Sequence, residues 1–189
     1  GWVICMVKAK RLSYTSKLHS SGVAKTSKRR EEGSGGGGHV ERCAQKLHEG
    51  GKYFLLVEGA GGFYVPLDRR QRLMVADIAG RLGLPLILVA QSGLGAINDT
   101  CLSLEAIGQW GLPIAGFVLN DLSPEPSSQY IRDDNPQIIS ELSGIPCLGT
   151  LPYLANPYDA SELLGAFSAL SGIEILEKYL AEYLIEKGS

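Results

Sequence analysis

The 189-residue sequence is poor in sulfur and in aromatic rings, with two methionines, four phenylalanines and aromatics at 7% overall. Its four cysteines, Cys5, Cys43, Cys101 and Cys147, lie far apart, with no CxxC pair and no Cys/His cluster at metal-ligand spacing. That scatter argues against a disulfide framework or a structural zinc site and fits the reduced thiols of a cytoplasmic protein. No apolar run approaches the roughly 18–20 residues needed to span a bilayer. The opening "WVICMV" is also too short for a secretory signal. Acid is absent from residues 1–30, which hold eight Lys/Arg, although the whole chain carries a net charge of −2. The remaining residues therefore hold ten Lys/Arg against twenty Asp/Glu, and the two parts are unlike.

At 44% hydrophobic and 20% charged, the chain can bury one sizeable core. Residues 1–38 fit that core least, since the basic, Ser-rich stretch ends in "GSGGGG", the composition of a flexible linker. They are expected to form a disordered arm in front of an α/β domain over 39–189. A plain solvated tail competes with three other readings of this arm: a nucleic-acid or membrane arm, an organellar transit peptide that would move the protein out of the cytoplasm, or a non-native N-terminus. For the chain as a whole, neither a nucleic acid nor a membrane is expected as a partner.

From His39 the pattern becomes regular. "HVERCAQKLHEGG" carries Val40, Cys43, Ala44 and Leu47 at helical spacing before a glycine stop. "KYFLLV" (52–57), "LPLILVA" (84–90), "PIAGFVLN" (113–120) and "IPCLGTL" (145–151) are continuous apolar runs, as strands of a parallel sheet covered on both faces require. Helical stretches separate them at roughly 71–82, 96–110, 127–143 and 159–186, the last broken near Gly172. This alternation predicts a doubly wound, mostly parallel sheet with flanking helices, whose ligands sit beyond the carboxyl ends of the strands.

At one such end stands "VEGAGG". A lone carboxylate, Glu58, suits Mg²⁺ beside nucleotide phosphates, because the hard cation prefers oxygen and keeps several waters. The glycines that follow let backbone N–H groups approach an anion. A glycine-rich turn beside a solvated acid would read the same way.

"VEGAGGFYVPL", "SGLGAIND", "GFVLND" and "GTLPYLANP" occur in an order and spacing that resemble the dethiobiotin synthetase family, over about residues 40–165. The resemblance implies a P-loop-type fold and ATP- and Mg²⁺-dependent closure of a ureido ring on 7,8-diaminononanoate with CO₂ or bicarbonate, in a homodimer. It also implies roles for particular residues. Glu58 is similar to the Mg²⁺/ATP carboxylate, and Gly59, Ala60 and Gly61 to the loop that meets phosphate and carbamate oxygens, with Gly62 on the substrate side. Asn120 is similar to the adenine reader, a task that suits a carboxamide able to donate and accept at once. Asp121 follows it in the motif, although the pair also reads as an Asx turn. Pro152, Tyr153 and Leu154 are similar to the loop lining the nucleotide, or form a plain connection. Gly95, Ala96, Ile97 and Asn98 open a helix whose N–H groups and dipole favour an anion. In the family this helix start receives the substrate carboxylate across the dimer. Asn98 or Asp99 could instead only cap the helix.

Two departures from the family are visible. Asp99 stands where the family commonly has His, and a negative side chain opposes a bound carboxylate. The family's opening strand, Gly-Lys-Thr phosphate loop, carbamate lysine and second metal aspartate are not visible before residue 40. The nearest string, "SSGVAKTS", offers Lys25-Thr26 but has Ala24 in place of the loop glycine. The expectation is thus an N-terminally incomplete member with impaired catalysis and no catalytic residue assigned. The alternatives are a non-catalytic dimerisation or nucleotide-sensing module and a cobyrinate amidase-like relative.

Overall fold

The computed structural model describes residues 2–8, 54–59, 61–68, 70, 72–124 and 129–186. The helix expected before Phe54, residues 9–38 of the arm, and Ala60 lie outside the described residues. Among the described residues, seven strands and five helices follow in chain order: β1 (Trp2–Lys8), β2 (Phe54–Glu58), β3 (Pro66–Asp68), β4 (Leu73–Met74), α1 (Val75–Leu82), β5 (Leu86–Gln91), α2 (Ala96–Gln109), β6 (Ile114–Asn120), α3 (Gln129–Ser143), β7 (Cys147–Leu151), α4 (Ala160–Ser168) and α5 (Ile173–Glu186). The main sheet has the order β2-β1-β5-β6-β7, and β3 and β4 make a separate two-stranded ribbon.

The apolar runs are strands for the reason the sequence suggests. Leu86, Ile87 and Leu88 of β5 and Ala115 to Leu119 of β6 are buried without alternation, so both faces of these strands are covered. On one face Leu86, Leu88, Phe117 and Leu119 meet Ala76 and Ala79 of α1, Leu104 and Ile107 of α2 and Ile139 of α3. On the other, Ile87, Val118 and Leu148 meet Leu176 of α5. Each large side chain so buried stabilises the fold by about 1.5–3 kcal/mol. Helix α2 shows how the period serves this packing, since Ala96, Thr100, Leu104 and Ile107 form one buried stripe. The break expected near Gly172 falls between α4 and α5. There a Cβ on Gly172 would stand 2.4 Å from Leu148 Cα, so only glycine lets the turn press against β7.

Two expectations need correction. Helix α1 begins at Val75 rather than near residue 71, because Leu73 and Met74 pair with β3 and Arg72 adopts a positive φ of 53° that stops helical propagation backwards. The second correction concerns the arm, of which Trp2–Lys8 forms an interior strand of the sheet rather than disordered chain. β1 lies antiparallel to both neighbours, with Ile4 opposite Glu58, Lys8 opposite Phe54 and Trp2 opposite Val89. A strand therefore stands between β2 and β5, second from the edge of the sheet, but it runs against β2, β5, β6 and β7. It satisfies backbone groups that would otherwise leave β2 and β5 with open edges. Its last residue lies beside the start of β2, at the end of the sheet opposite Asn120.

Candidate functional site

Two connections that leave a strand through glycines and lead to a helix dominate the site, the first by way of the β3–β4 ribbon and the second directly. In the first, β2 ends at the exposed Glu58 and the loop turns at Gly61, whose φ is 107° and whose N–H donates to the Gly59 carbonyl at 3.1 Å. The Val65 N–H donates to the Gly62 carbonyl at 3.1 Å. The loop then closes on α1. The Val65 carbonyl accepts from Val75 N–H at 3.0 Å, and the Phe63 carbonyl accepts from Ala76 N–H at 2.9 Å. Asp77 Oδ2 accepts from Met74 N–H at 2.7 Å. The first N–H groups of α1, which a helix start otherwise offers to an anion, are thus already satisfied.

The same loop is anchored by aromatic rings. Phe63 is 4% exposed and belongs to the main core. Its ring lies 5.7 Å from that of Trp110 in an edge-to-face arrangement and 5.2 Å from that of Tyr64. Trp110 Nε1–H donates to the Tyr64 hydroxyl at 3.3 Å. Sequence reasoning missed this trio, because 46 residues separate the hydrogen-bonded pair and nothing local signals the contact.

The second connection leaves β5 through Ser92 and enters α2 through two glycines of positive φ, Gly93 at 105° and Gly95 at 86°. Gly95 is the N-cap and no side chain caps the helix. The Ala96 N–H donates to the Gly93 carbonyl at 3.2 Å, and Asp99 N–H makes the first helical bond, to the Gly95 carbonyl at 3.0 Å. Between them, Ile97 and Asn98 carry N–H groups that the helix itself cannot pair. The Asp99 carboxylate folds back over this start: it accepts from Asn98 Nδ2 at 3.1 Å, and a Cβ on Gly95 would lie 3.7 Å from Asp99 Oδ2. A negative charge there complements the helix dipole and opposes an incoming carboxylate. Beside this start, α2 and α3 flank a groove of about 700 Å³, lined among others by Leu94, Ile97, Leu102 and Leu142.

A third group joins this second connection at the carboxyl ends of β5, β6 and β7. Asn120, half-buried, ends β6 opposite Gln91 of β5 and Leu151 of β7. Its carbonyl accepts from Ser92 N–H at 3.0 Å. Asp121 is buried; its carboxylate accepts from the Ser92 hydroxyl, and its N–H donates to the Leu151 carbonyl at 2.9 Å. Pro152 and Tyr153 then follow exposed, with Leu154 half-buried. The structure thus brings together Asn120, Asp121, Pro152, Tyr153, Leu154 and the Gly95–Asn98 helix start on one rim. The Asp121 carboxylate is engaged inside that rim, tying strand ends together.

Glu58 does not share this level. Through β1 the register sets Glu58 opposite Ile4 and Ile4 opposite Ile87, four residues short of Gln91. At about 3.3 Å per residue that is about 13 Å along the strand direction. Glu58 is the one carboxylate among the described residues that ends a strand of the main sheet and is exposed. A single exposed acid is the donor set that Mg²⁺ accepts when phosphate oxygens and water complete its shell. No group of three His, Cys, Asp or Glu able to hold a metal occurs among the described residues.

A mostly parallel sheet with a rim of this kind at the ends of its parallel strands defines a class, and sequence comparison agrees with it. A family model described as AAA domain matches residues 39–158, and the chain belongs to that family. Similar curated proteins include ATP-dependent dethiobiotin synthetases, which bears out the resemblance carried by the motifs. The enzyme of Thermodesulfovibrio yellowstonii is 42% identical over 108 residues, 54% of this chain and 45% of that protein. That of Clostridium perfringens is 40% identical over 113 residues, 58% and 48% of the two chains. That of Bacillus subtilis is 43% identical over 101 residues, 53% and 42%. The chain spans about half the length of the curated relatives it matches.

Proposed function

We propose that this chain takes part in ATP- and Mg²⁺-dependent closure of the ureido ring of dethiobiotin, from 7,8-diaminononanoate and CO₂. The observation that carries the reading is the rim itself, where Asn120, the 152–154 loop and the open start of α2 are tied to one another through Ser92 and Asp121. Bound ATP with Mg²⁺ would supply the phosphoryl group that activates a carbamate. The chain's own residues bind and orient. The Asn120 carboxamide pairs with an adenine edge, donating and accepting at once. Tyr153 and Leu154 flank the base, and Glu58 offers oxygen to the cation. Gly59 and Gly61 keep bulky side chains away from the phosphate oxygens, and Gly62 does so on the substrate side. The N–H groups of Ile97 and Asn98 receive the substrate carboxylate.

The reading extends to a homodimer. The groove between α2 and α3 adjoins the carboxylate site, and Leu94, Leu102 and Leu142 are exposed there at 98%, 58% and 69%. A second copy covering this face would bury them and close the helix start from water. Equilibrium sedimentation of the wild type and of Leu102→Glu tests this. A dimer that the substitution dissociates supports it, and a monomeric wild type contradicts it.

The activity is tested by incubating the full chain with 7,8-diaminononanoate, bicarbonate and Mg-ATP and measuring dethiobiotin by mass spectrometry. Product formation supports the proposal. A second reading, a nucleotide-binding module without catalysis, has one observation in its favour: β1 runs antiparallel, so its last residue, Lys8, lies beside Phe54 at the end of the sheet opposite the rim. Nucleotide binding without product would select that reading.

A further inference from the structure

Helix α3 contains an unlikely pair for a helix interior, Asn135 followed by Pro136. Proline has no N–H to give the helix and disfavours helical backbone at the residue before it. Asn135 adds a buried carboxamide, 6% exposed, on the inner side of α3. A buried amide without a partner is costly. Its partner lies outside α3, because Asn135 Nδ2–H donates to the Gly93 carbonyl at 3.1 Å. Gly93 is buried and holds a φ of 105°, two residues before the α2 N-cap. The same carbonyl accepts from Ala96 N–H at 3.2 Å.

We propose that Asn135 is a positioning residue for the start of α2. Its carboxamide reaches across the groove between α3 and α2 and fixes the Gly93–Gly95 turn, so that the N–H groups of Ile97 and Asn98 face one point. The turn needs an outside hold for a physical reason. Two glycines bracket the exposed Leu94 and no side chain caps the helix, so its own covalent geometry leaves it free to take other conformations. One buried hydrogen bond from a neighbouring helix removes that freedom. The functional consequence rests on the reading of this helix start as the carboxylate site, whereas the geometric one does not.

Residue-resolved amide hydrogen exchange on the full chain, without ligand, tests the proposal. Asn135→Asp keeps the shape and removes the donor, and Asn135→Ala removes both shape and donor. Relative to the amides of Phe117 to Leu119 in β6, which report global opening, the amides of Ala96 and Asp99 should exchange about tenfold faster in either variant, as expected for loss of one buried hydrogen bond. Equal protection at Ala96 and Asp99, or acceleration only in proportion to β6, overturns the proposal. Should neither variant fold, the Asn135 side-chain amide protons of the wild type give the answer. Slow exchange supports the hold on Gly93, and exchange at the rate of a free carboxamide overturns it. Titration of the wild type with 7,8-diaminononanoate while following the Ile97 and Asn98 amide shifts tests the carboxylate reading separately.

Discussion

Helices α1 and α2 are both preceded by a strand and a glycine loop, with the β3–β4 ribbon interposed before α1, and they begin in opposite chemical states. The start of α1 is closed: the carbonyls of Phe63 and Val65 take its first N–H groups, and Phe63 pins the loop in the core. The start of α2 is open, capped by a glycine and held from a distance by Asn135. A third start, that of α4, is closed by its own side chain, since Asp159 Oδ1 accepts from Ser161 N–H at 2.8 Å and Glu162 N–H at 3.1 Å. Glycine content therefore does not decide which loop offers N–H groups to a ligand. What decides is whether the loop's own carbonyls and side chains have already taken them.

The largest effect should separate the two loops by stability. Phe63→Ala removes the core anchor of the first loop and should cost about 3–5 kcal/mol. Leu94→Ala, at the exposed tip of the second, should stay within about 0.5 kcal/mol when the chain is diluted to the monomer. Urea unfolding of both variants measures the difference, and similar losses would break the contrast. Next comes backbone strain, because Gly61 and Gly95 both hold positive φ and alanine at either should cost about 1–3 kcal/mol. Gly61→Ala should be the worse, since its Cβ would stand 3.0 Å from Val65 Cγ2, whereas at Gly95 the nearest atom is 3.7 Å away. Thermal unfolding ranks them.

A smaller effect concerns charge at the open start. Asp99→His removes the carboxylate folded over α2 and should tighten 7,8-diaminononanoate binding, with unfolding little changed; calorimetric titration reads it, and weaker binding would count against the carboxylate site. The smallest belongs to α4. The hydrogen bonds from Ser161 and Glu162 hold the Asp159 carboxyl below its ordinary value. A group lowered in the folded state adds stability that is present above its unfolded value and is lost as pH falls through the folded one. Fraying of α4 should therefore grow as pH falls from the ordinary carboxylate value toward the lowered one, as a small loss of helical ellipticity that Asp159→Asn does not show.

Much of the fold was legible in the sequence because both faces of β5 and β6 are buried, which prints a continuous apolar run into the chain. Helix ends were legible wherever a glycine stops them, as at Gly83 after α1. The interior strand β1 was not legible. "WVICMV" is apolar enough for a strand, but its partners, Glu58 and Val89, lie more than fifty residues away and its direction is set by pairing alone. The site was legible as motifs rather than as geometry. Asn120 ends β6 opposite Leu151, which leads into the 152–154 loop, yet Glu58 sits at a different level, and Asp121 turns inward to Ser92. Asn135 left no local signal beyond its improbable place before a proline.

The central claim is that the β5–β7 rim, with Asn120 at its middle, holds an adenine nucleotide. Calorimetric titration of ATP with Mg²⁺ into the wild type and into Asn120→Ala tests it most directly. The account predicts saturable binding to the wild type, a loss on the order of tenfold or more in Asn120→Ala from the unpaired base edge, and an unchanged unfolding midpoint. Equal affinity of the two proteins for ATP would contradict it.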